Sequence, residues 1–188
     1  MANVNHNTLT DPYLHEPKGA STAATGDVYI ANGAGSGTWK QLHNYVNGYI
    51  DFDAITPAYT HAVTTSFTPI NPTFILSVAD GWTGVATPNA RLKYTGVVDV
   101  VGSVNFSVSF KNSSGASKDV EMIFYRNGVP LNGGHLIATA ASGDWKALSL
   151  VDIGEFSTND YLEVFVKGSA AFSLLIASAS LTVLGMPV

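Results

Sequence analysis

The stretch of residues 160–183 restricts the possible folds of this chain more than any other part of it. Residues 161–166 alternate between two faces and are mostly aromatic or β-branched, which is the period-two pattern of a β-strand. Gly168 and Ser169 supply a turn, and the uncharged run of residues 172–183 predicts a second, longer strand. Two such strands joined by a tight turn favour an antiparallel sheet.

The same period-two pattern continues through most of the chain after residue 49. Residues 97–110 place valine and phenylalanine on one face and mostly serine and asparagine on the other. Asn127 and Gly128 follow a strand-like run at residues 120–125 and form a strong hairpin signal. Eight or more short strands separated by turns, with no helical period of any length, predict an all-β antiparallel sandwich.

Charge is scarce in this sequence. Asp, Glu, Lys and Arg together make up 12% of the residues, which is about half of the usual share. Because so few charges cannot coat a large free surface, we expect part of the surface to be buried between subunits. The small side chains of the last strand would let either a second sheet or another copy of the chain come close, and the predicted trimer interface consists of Ala177, Ser178, Ala179 and Ser180.

Composition also argues against several classes of function. The net charge is −5 and the nine Lys and Arg residues are scattered, so the basic footprint of a nucleic-acid-binding protein is lacking. The absence of cysteine excludes disulfides, thiolate metal sites and a cysteine nucleophile, and it suits a protein made in a reducing cytoplasm. The N-terminus has no signal-peptide pattern and no apolar run is long enough to span a bilayer, so we expect no membrane partner.

Residues 1–50 form an extended N-terminal arm and linker in this interpretation, ahead of a folded domain at residues 51–188. The first part of the arm is polar and could not bury enough apolar surface to fold alone. A glycine-rich loop before Trp39 matches neither the P-loop nor the dinucleotide-binding spacing. Residues 41–50 leave open a short helical linker or stalk, since apolar residues at helical spacing compete there with Gly48.

Four segments of the folded domain resemble the jelly rolls of tumour necrosis factor and the complement heads. They are the Arg-Leu-Lys-Tyr-Thr-Gly of residues 91–96, the Phe-Tyr-Arg-Asn-Gly of residues 124–128, and residues 160–164 and 178–183. The resemblance spans about residues 55–186. It implies a jelly-roll sandwich that assembles as a homotrimer.

The arm resembles a different group of proteins. The Leu-His-Glu-Pro-Lys-Gly of residues 14–19, followed by residues 27–39, looks like the N-terminal segment of head fibres and capsid decoration proteins of tailed bacteriophages. The resemblance implies a virion component on the outer surface of the capsid, with the major capsid protein or another virion protein as its partner. The residues expected to attach it are Tyr13, Leu14, His15, Glu16, Pro17, Lys18 and Trp39.

Patterns of catalysis or metal binding are weak, and we expect no cofactor, no metal and no catalytic residue. No serine lies in a nucleophile elbow that follows a core strand. The histidines are dispersed without ligand spacing: His6, His15, His43, His61 and His135. The carboxylates that would supply a calcium site, if one existed, are Asp51, Asp53, Asp99, Asp119 and Glu121.

Two functions of different classes remain. The first is a non-enzymatic, homotrimeric capsid decoration or head-fibre protein. The alternative is a receptor-binding module of a tail fibre that recognises a host surface glycan or protein. Trp82, Tyr94 and Tyr125 could stack on sugars in such a module, but aromatic residues of this kind are more often sandwich core, and we expect them there.

Overall fold

The computed structural model describes residues 23–24, 27–31, 37–41, 46–53, 58–85, 90–113 and 115–188. The chain divides into two compact units, Met1–His43 and Asn44–Val188. The predicted boundary after residue 50 lies inside a strand of the second unit. The glycine-rich loop at residues 32–36 and the first 22 residues of the arm are outside the described residues.

The described part of the first unit is a hairpin of two antiparallel strands, β1 (Asp27–Ala31) and β2 (Gly37–Gln41). Tyr29 lies opposite Trp39, and Ala31 lies opposite Gly37. A side chain at Gly37 would collide with the backbone carbonyl of Ile30, so the close approach of the two strands requires glycine at this position.

The second unit is built from strands alone among its described residues. In chain order they are β3 (Val46–Asp53), β4 (Tyr59–Val63), β5 (Thr68–Pro69), β6 (Ile75–Asp80), β7 (Trp82–Val85), β8 (Arg91–Tyr94), β9 (Val100–Asn112), β10 (Lys118–Arg126), β11 (Val129–Ala140), β12 (Lys146–Phe156), β13 (Tyr161–Gly168) and β14 (Phe172–Pro187). One sheet has the order β7-β8-β13-β10-β11, with β5 paired to β13. The other has the order β6-β3-β14-β9-β12, with β4 paired to β14.

The strand order is that of a jelly roll. If the eight main strands, β3 and β8 to β14, are numbered one to eight, the sheets read 1-8-3-6 and 2-7-4-5. Neighbouring strands are antiparallel throughout the two sheets. The predicted fold class, an all-β antiparallel jelly-roll sandwich, is therefore confirmed.

Alternating burial places the core between the two sheets. In β9, every second residue from Val100 to Asn112 is buried, as the alternation in the sequence predicts. The largest fully buried side chains include Tyr94, Phe106 and Phe124, and the whole core cluster lies between Val46 and Val183. Among the described residues, the members of this core cluster all belong to the second unit.

The segment that was ambiguous in the sequence, residues 41–50, is a strand over its second half. Val46 and Gly48 face inward, and a side chain at Gly48 would lie 2.7 Å from Cβ of Trp82. Glycine, which weakens a helix, is what lets β3 pack closely on β7 here. Tertiary packing therefore overrides the helical spacing of the apolar residues.

Candidate functional site

The outer side of the sheet β3-β14-β9-β12 carries a regular array of small polar side chains, here called the serine-rich end. In one row across the sheet, Ser149, Ser107, Ser180 and Asp51 lie side by side. The hydroxyl oxygens of Ser107 and Ser149 are 3.0 Å apart, and Ser107 also donates a hydrogen bond to Asn105. Ser149, Ser107, Ser180 and Asp51 are among the residues that line a shallow concavity of about 530 Å³.

The predicted trimer residues divide between this concavity and the core. Ser178 and Ser180 lie on the outer side of β14 and line the concavity. Ala179 packs in the core between the sheets, and Ala177 is buried beside the β-bulge that interrupts pairing with β9. Only the two serines therefore present their side chains to the outside.

Beyond the serines, the same outer side becomes apolar toward the end of β14, and this part is here called the apolar end. Val151 and Ile153 of β12 are 54% and 71% exposed, and Leu184 and Met186 of β14 are 56% and 67% exposed. Ile153 and Leu184 flank Ser103 in one row across the sheet. The sequence analysis missed these residues, although the alternation through β12 and β14 places all four on one side.

The outer side of the other sheet is charged instead. Arg91 pairs with Glu163 at 2.9 Å, and its guanidinium lies 4.2 Å from the ring centroid of Tyr161. Oε2 of Glu121 lies 2.9 Å from Nζ of Lys167, and Oε1 of Glu121 lies 2.6 Å from Nε2 of His135. Partial burial acts to raise the pKa of Glu121, but the hydrogen bonds from Lys167 and His135 outweigh it and hold this pKa below its usual value.

An aromatic cluster lies next to these ion pairs. The rings of Tyr125 and Phe165 stack with centroids 3.8 Å apart, and Phe67 packs on Tyr125 at 6.1 Å. The ammonium group of Lys167 lies 4.5 Å from the centroid of Phe67. These rings hold the loop before β5 onto the sheet by packing on one another. We expected Tyr125 in the sandwich core, but it lies in this cluster on the outer side of the sheet.

The two other aromatic residues considered for sugar stacking are core residues, as predicted. Trp82 and Tyr94 are 3% and 1% exposed, and their ring centroids are 5.0 Å apart. The hydroxyl group of Tyr94 donates to the carbonyl oxygen of Val98 at 2.5 Å. Neither ring is accessible to a ligand at the surface.

The titratable side chains do not gather into a metal site in the described part of the chain. Within it, no group of three or more His, Asp or Glu residues has the geometry to hold an ion. Asp51 and Asp53 border the serine-rich end, while Asp119 accepts a hydrogen bond from Thr139 on the opposite sheet. His61 is buried with Nε2 3.1 Å from the hydroxyl of Thr68, and burial lowers the pKa of this imidazole.

Of the predicted attachment residues, Trp39 is the one that lies in the described part of the chain. Its ring packs edge-on against Tyr29, with centroids 5.3 Å apart, on one side of the hairpin. On the other side, Val28 and Ile30 are 44% and 37% exposed. The remaining attachment residues lie outside the described part of the chain: Tyr13, Leu14, His15, Glu16, Pro17 and Lys18.

Comparison with known proteins returns similar folds only. The sequence matches no protein-family model and no curated protein. Three solved structures, each 11% identical with a TM-score of 0.46, are similar to this chain. The match to Eiger TNF from S. frugiperda covers 75% of this chain and 92% of the Eiger chain. The match to murine APRIL covers 74% of this chain and 99% of the APRIL chain. The match to the PRD1 vertex protein P5 covers 76% of this chain and 97% of the P5 chain.

The class of this protein follows from its own strand order: it is an all-β jelly-roll protein. The described residues contain no helix that is long and apolar enough to cross a membrane.

Proposed function

We propose that this chain is a non-enzymatic structural protein of a virion, a homotrimeric capsid decoration or head-fibre protein whose N-terminal arm attaches it to the outer surface of the shell. The observation that carries the proposal is the unequal distribution of charge between the two outer sides of the sandwich. One side is built to be covered by protein, and the other is built to face water.

The covered side is the outer surface of β12, β9 and β14. Its outward residues from 147 to 153, from 101 to 109 and from 178 to 186 include no Asp, Glu, Lys or Arg. Depletion of charge around exposed apolar side chains is the composition of an interface core. The opposite sheet carries charged side chains on its outer side, where the partly exposed Arg91 pairs with the buried Glu163 and Lys167 pairs with the partly exposed Glu121.

Trimerisation is the expected use of the uncharged side. A stable contact buries about 800 Å² on each partner, and the apolar end together with the serines of the serine-rich end supplies a continuous surface without charge across three long strands. Asp51 and Asp53 lie at the edge of this surface, on β3. Small serine side chains let two backbones approach, while Ile153, Leu184 and Met186 supply the apolar area. The threefold symmetry itself rests on the resemblance of residues 55–186 to trimeric jelly rolls.

Attachment to a virion rests on the resemblance of the arm to phage head proteins. Because the described core residues all belong to the second unit, we expect attachment and folding to be separable functions of the chain. The ring faces of the aromatic cluster are turned toward neighbouring side chains, which favours a structural role over glycan binding.

The test is co-sedimentation with particles that lack the protein, together with light scattering coupled to size exclusion. The full chain should be a trimer in solution and should bind the particles, whereas residues 44–188 alone should remain trimeric and fail to bind. A monomer at micromolar concentration would contradict the trimer, and particle binding by residues 44–188 would contradict attachment through the arm.

A further inference from the structure

The β1–β2 hairpin has two unlike sides. Tyr29 and Trp39 pack against each other on one side, so each ring has a partner within the hairpin. The other side presents Val28 and Ile30, with Lys40 opposite Val28 and Thr38 opposite Ile30, and all four are exposed. This second side is here called the Val28/Ile30 face.

A hairpin of this size does not bury a core of its own. Two strands of five residues each have one packed face at most, and an isolated two-stranded hairpin is only marginally stable in water. Val28 and Ile30 are β-branched residues of the type that strands bury, yet they remain 44% and 37% exposed. The hairpin therefore carries apolar surface that a partner would cover.

We propose that the Val28/Ile30 face is the surface through which the arm contacts the shell, and that the partner offers an apolar cleft bordered by carboxylates. This inference rests on the proposed attachment function and assigns its contact. The charge on the face decides the chemistry of the cleft: Lys40 is its single ionic group, whereas the carboxylate of Asp27 is held on the opposite side of the strand by the backbone N–H of Ala24 at 2.8 Å.

The size of the face explains why a trimer would be needed. Four side chains cannot bury the roughly 800 Å² per partner of a stable interface. Three identical hairpins on one trimer would bind together, and each contact after the first is then an intramolecular event with a high effective concentration. A weak single contact thus becomes a firm attachment through multiplicity.

The same geometry changes the role of Trp39. We expected this ring to be an anchor for the shell, but its packing on Tyr29 makes it a positioning residue that fixes the hairpin. Its substitution would act through the fold of the hairpin rather than through a lost contact. For this reason the Trp39→Ala variant cannot distinguish a residue that contacts the shell from one that supports the fold of the hairpin.

The experiment uses the full chain with Val28→Thr and Ile30→Thr together. Threonine is β-branched and similar in shape, so the strands keep their preference for the extended conformation while the face loses its apolar methyl groups. The control is Ile137→Thr in β11, which makes the isoleucine-to-threonine change alone at a residue that is 67% exposed on the second unit. Binding is measured by co-sedimentation with particles that lack the protein.

We expect the double variant to bind particles at least about tenfold more weakly, with an unchanged trimer mass and melting curve, and the Ile137→Thr control to bind like the original chain. If the double variant binds normally while residues 44–188 do not bind, the arm attaches through other residues and the inference is wrong although the proposed function stands. If residues 44–188 still bind, attachment through the arm fails as a whole. Equal losses in the double variant and the control would also overturn the assignment.

Discussion

Placing one charge on the apolar end tests the trimer most directly. Leu184 is 56% exposed in the isolated protomer, so Leu184→Lys should change the stability of that protomer by no more than about 0.5 kcal/mol. In the proposed trimer the same lysine would lose its water against a surface whose outward residues on β9 and β14, from 101 to 109 and from 178 to 186, carry no carboxylate. The substitution therefore separates association from folding.

The expected magnitude follows from the cost of removing a charge from water. In real proteins this penalty is several kcal/mol for each unpaired ion, and we take about 3 kcal/mol at Leu184. Threefold symmetry repeats the site three times, so the trimer should lose roughly 9 kcal/mol if the sites are independent. A loss of that size dissociates an ordinary trimer at micromolar concentration.

The measurement is molar mass by light scattering across a dilution series, beside a thermal melt of each variant. Ile137→Lys is the matched control, because Ile137 is 67% exposed on the charged sheet and lies opposite Glu121. We expect the control to stay trimeric and Leu184→Lys to become a folded monomer. A trimeric Leu184→Lys, or dissociation of the control as well, would refute the assignment of the uncharged side as the interface.

Three other outcomes are expected. Burial lowers the pKa of His61 below its ordinary value of 6.5, so the unfolded chain binds a proton at this imidazole more tightly than the folded chain does. The free energy of unfolding should therefore fall as the pH drops below about 6.5. The His61→Gln variant should lack this part of the pH dependence. Arg91→Ala should lower the free energy of unfolding by about 2–3 kcal/mol in chemical denaturation, since it removes the guanidinium from a Glu163 carboxylate that is only 2% exposed. Glu163→Gln in the same chain should restore part of this loss. An equal loss in the double variant would exclude the ion pair as the cause. EDTA should leave the melting temperature unchanged, and a large decrease would reveal a calcium site.

The sequence was sufficient to predict the strands and their inward faces wherever apolar and polar residues alternate. β9 follows this rule from Val100 to Phe110, because the inward positions of a sandwich favour apolar side chains. In β13 the inward residues Leu162, Val164 and Val166 are buried as predicted, but Glu163 is buried as well. The sequence also predicted the turn at Asn127 and Gly128, whose φ angles of 53° and 77° are those that asparagine and glycine tolerate. These are local properties, and the local sequence contains them.

The interaction surfaces could be identified only from the tertiary structure. Alternation identifies an outward residue, but it does not tell whether water or a second subunit lies outside. Only the structure shows that, among the predicted interface residues, Ala177 lies beside a β-bulge and Ala179 packs into the core of the protomer. Ile153 and Leu184 belong to strands far apart in the chain, and they become neighbours across β9 because the jelly-roll order places β9 between β12 and β14. An uncharged side of a sheet exists only once such strands are aligned in register, so no local pattern could reveal it.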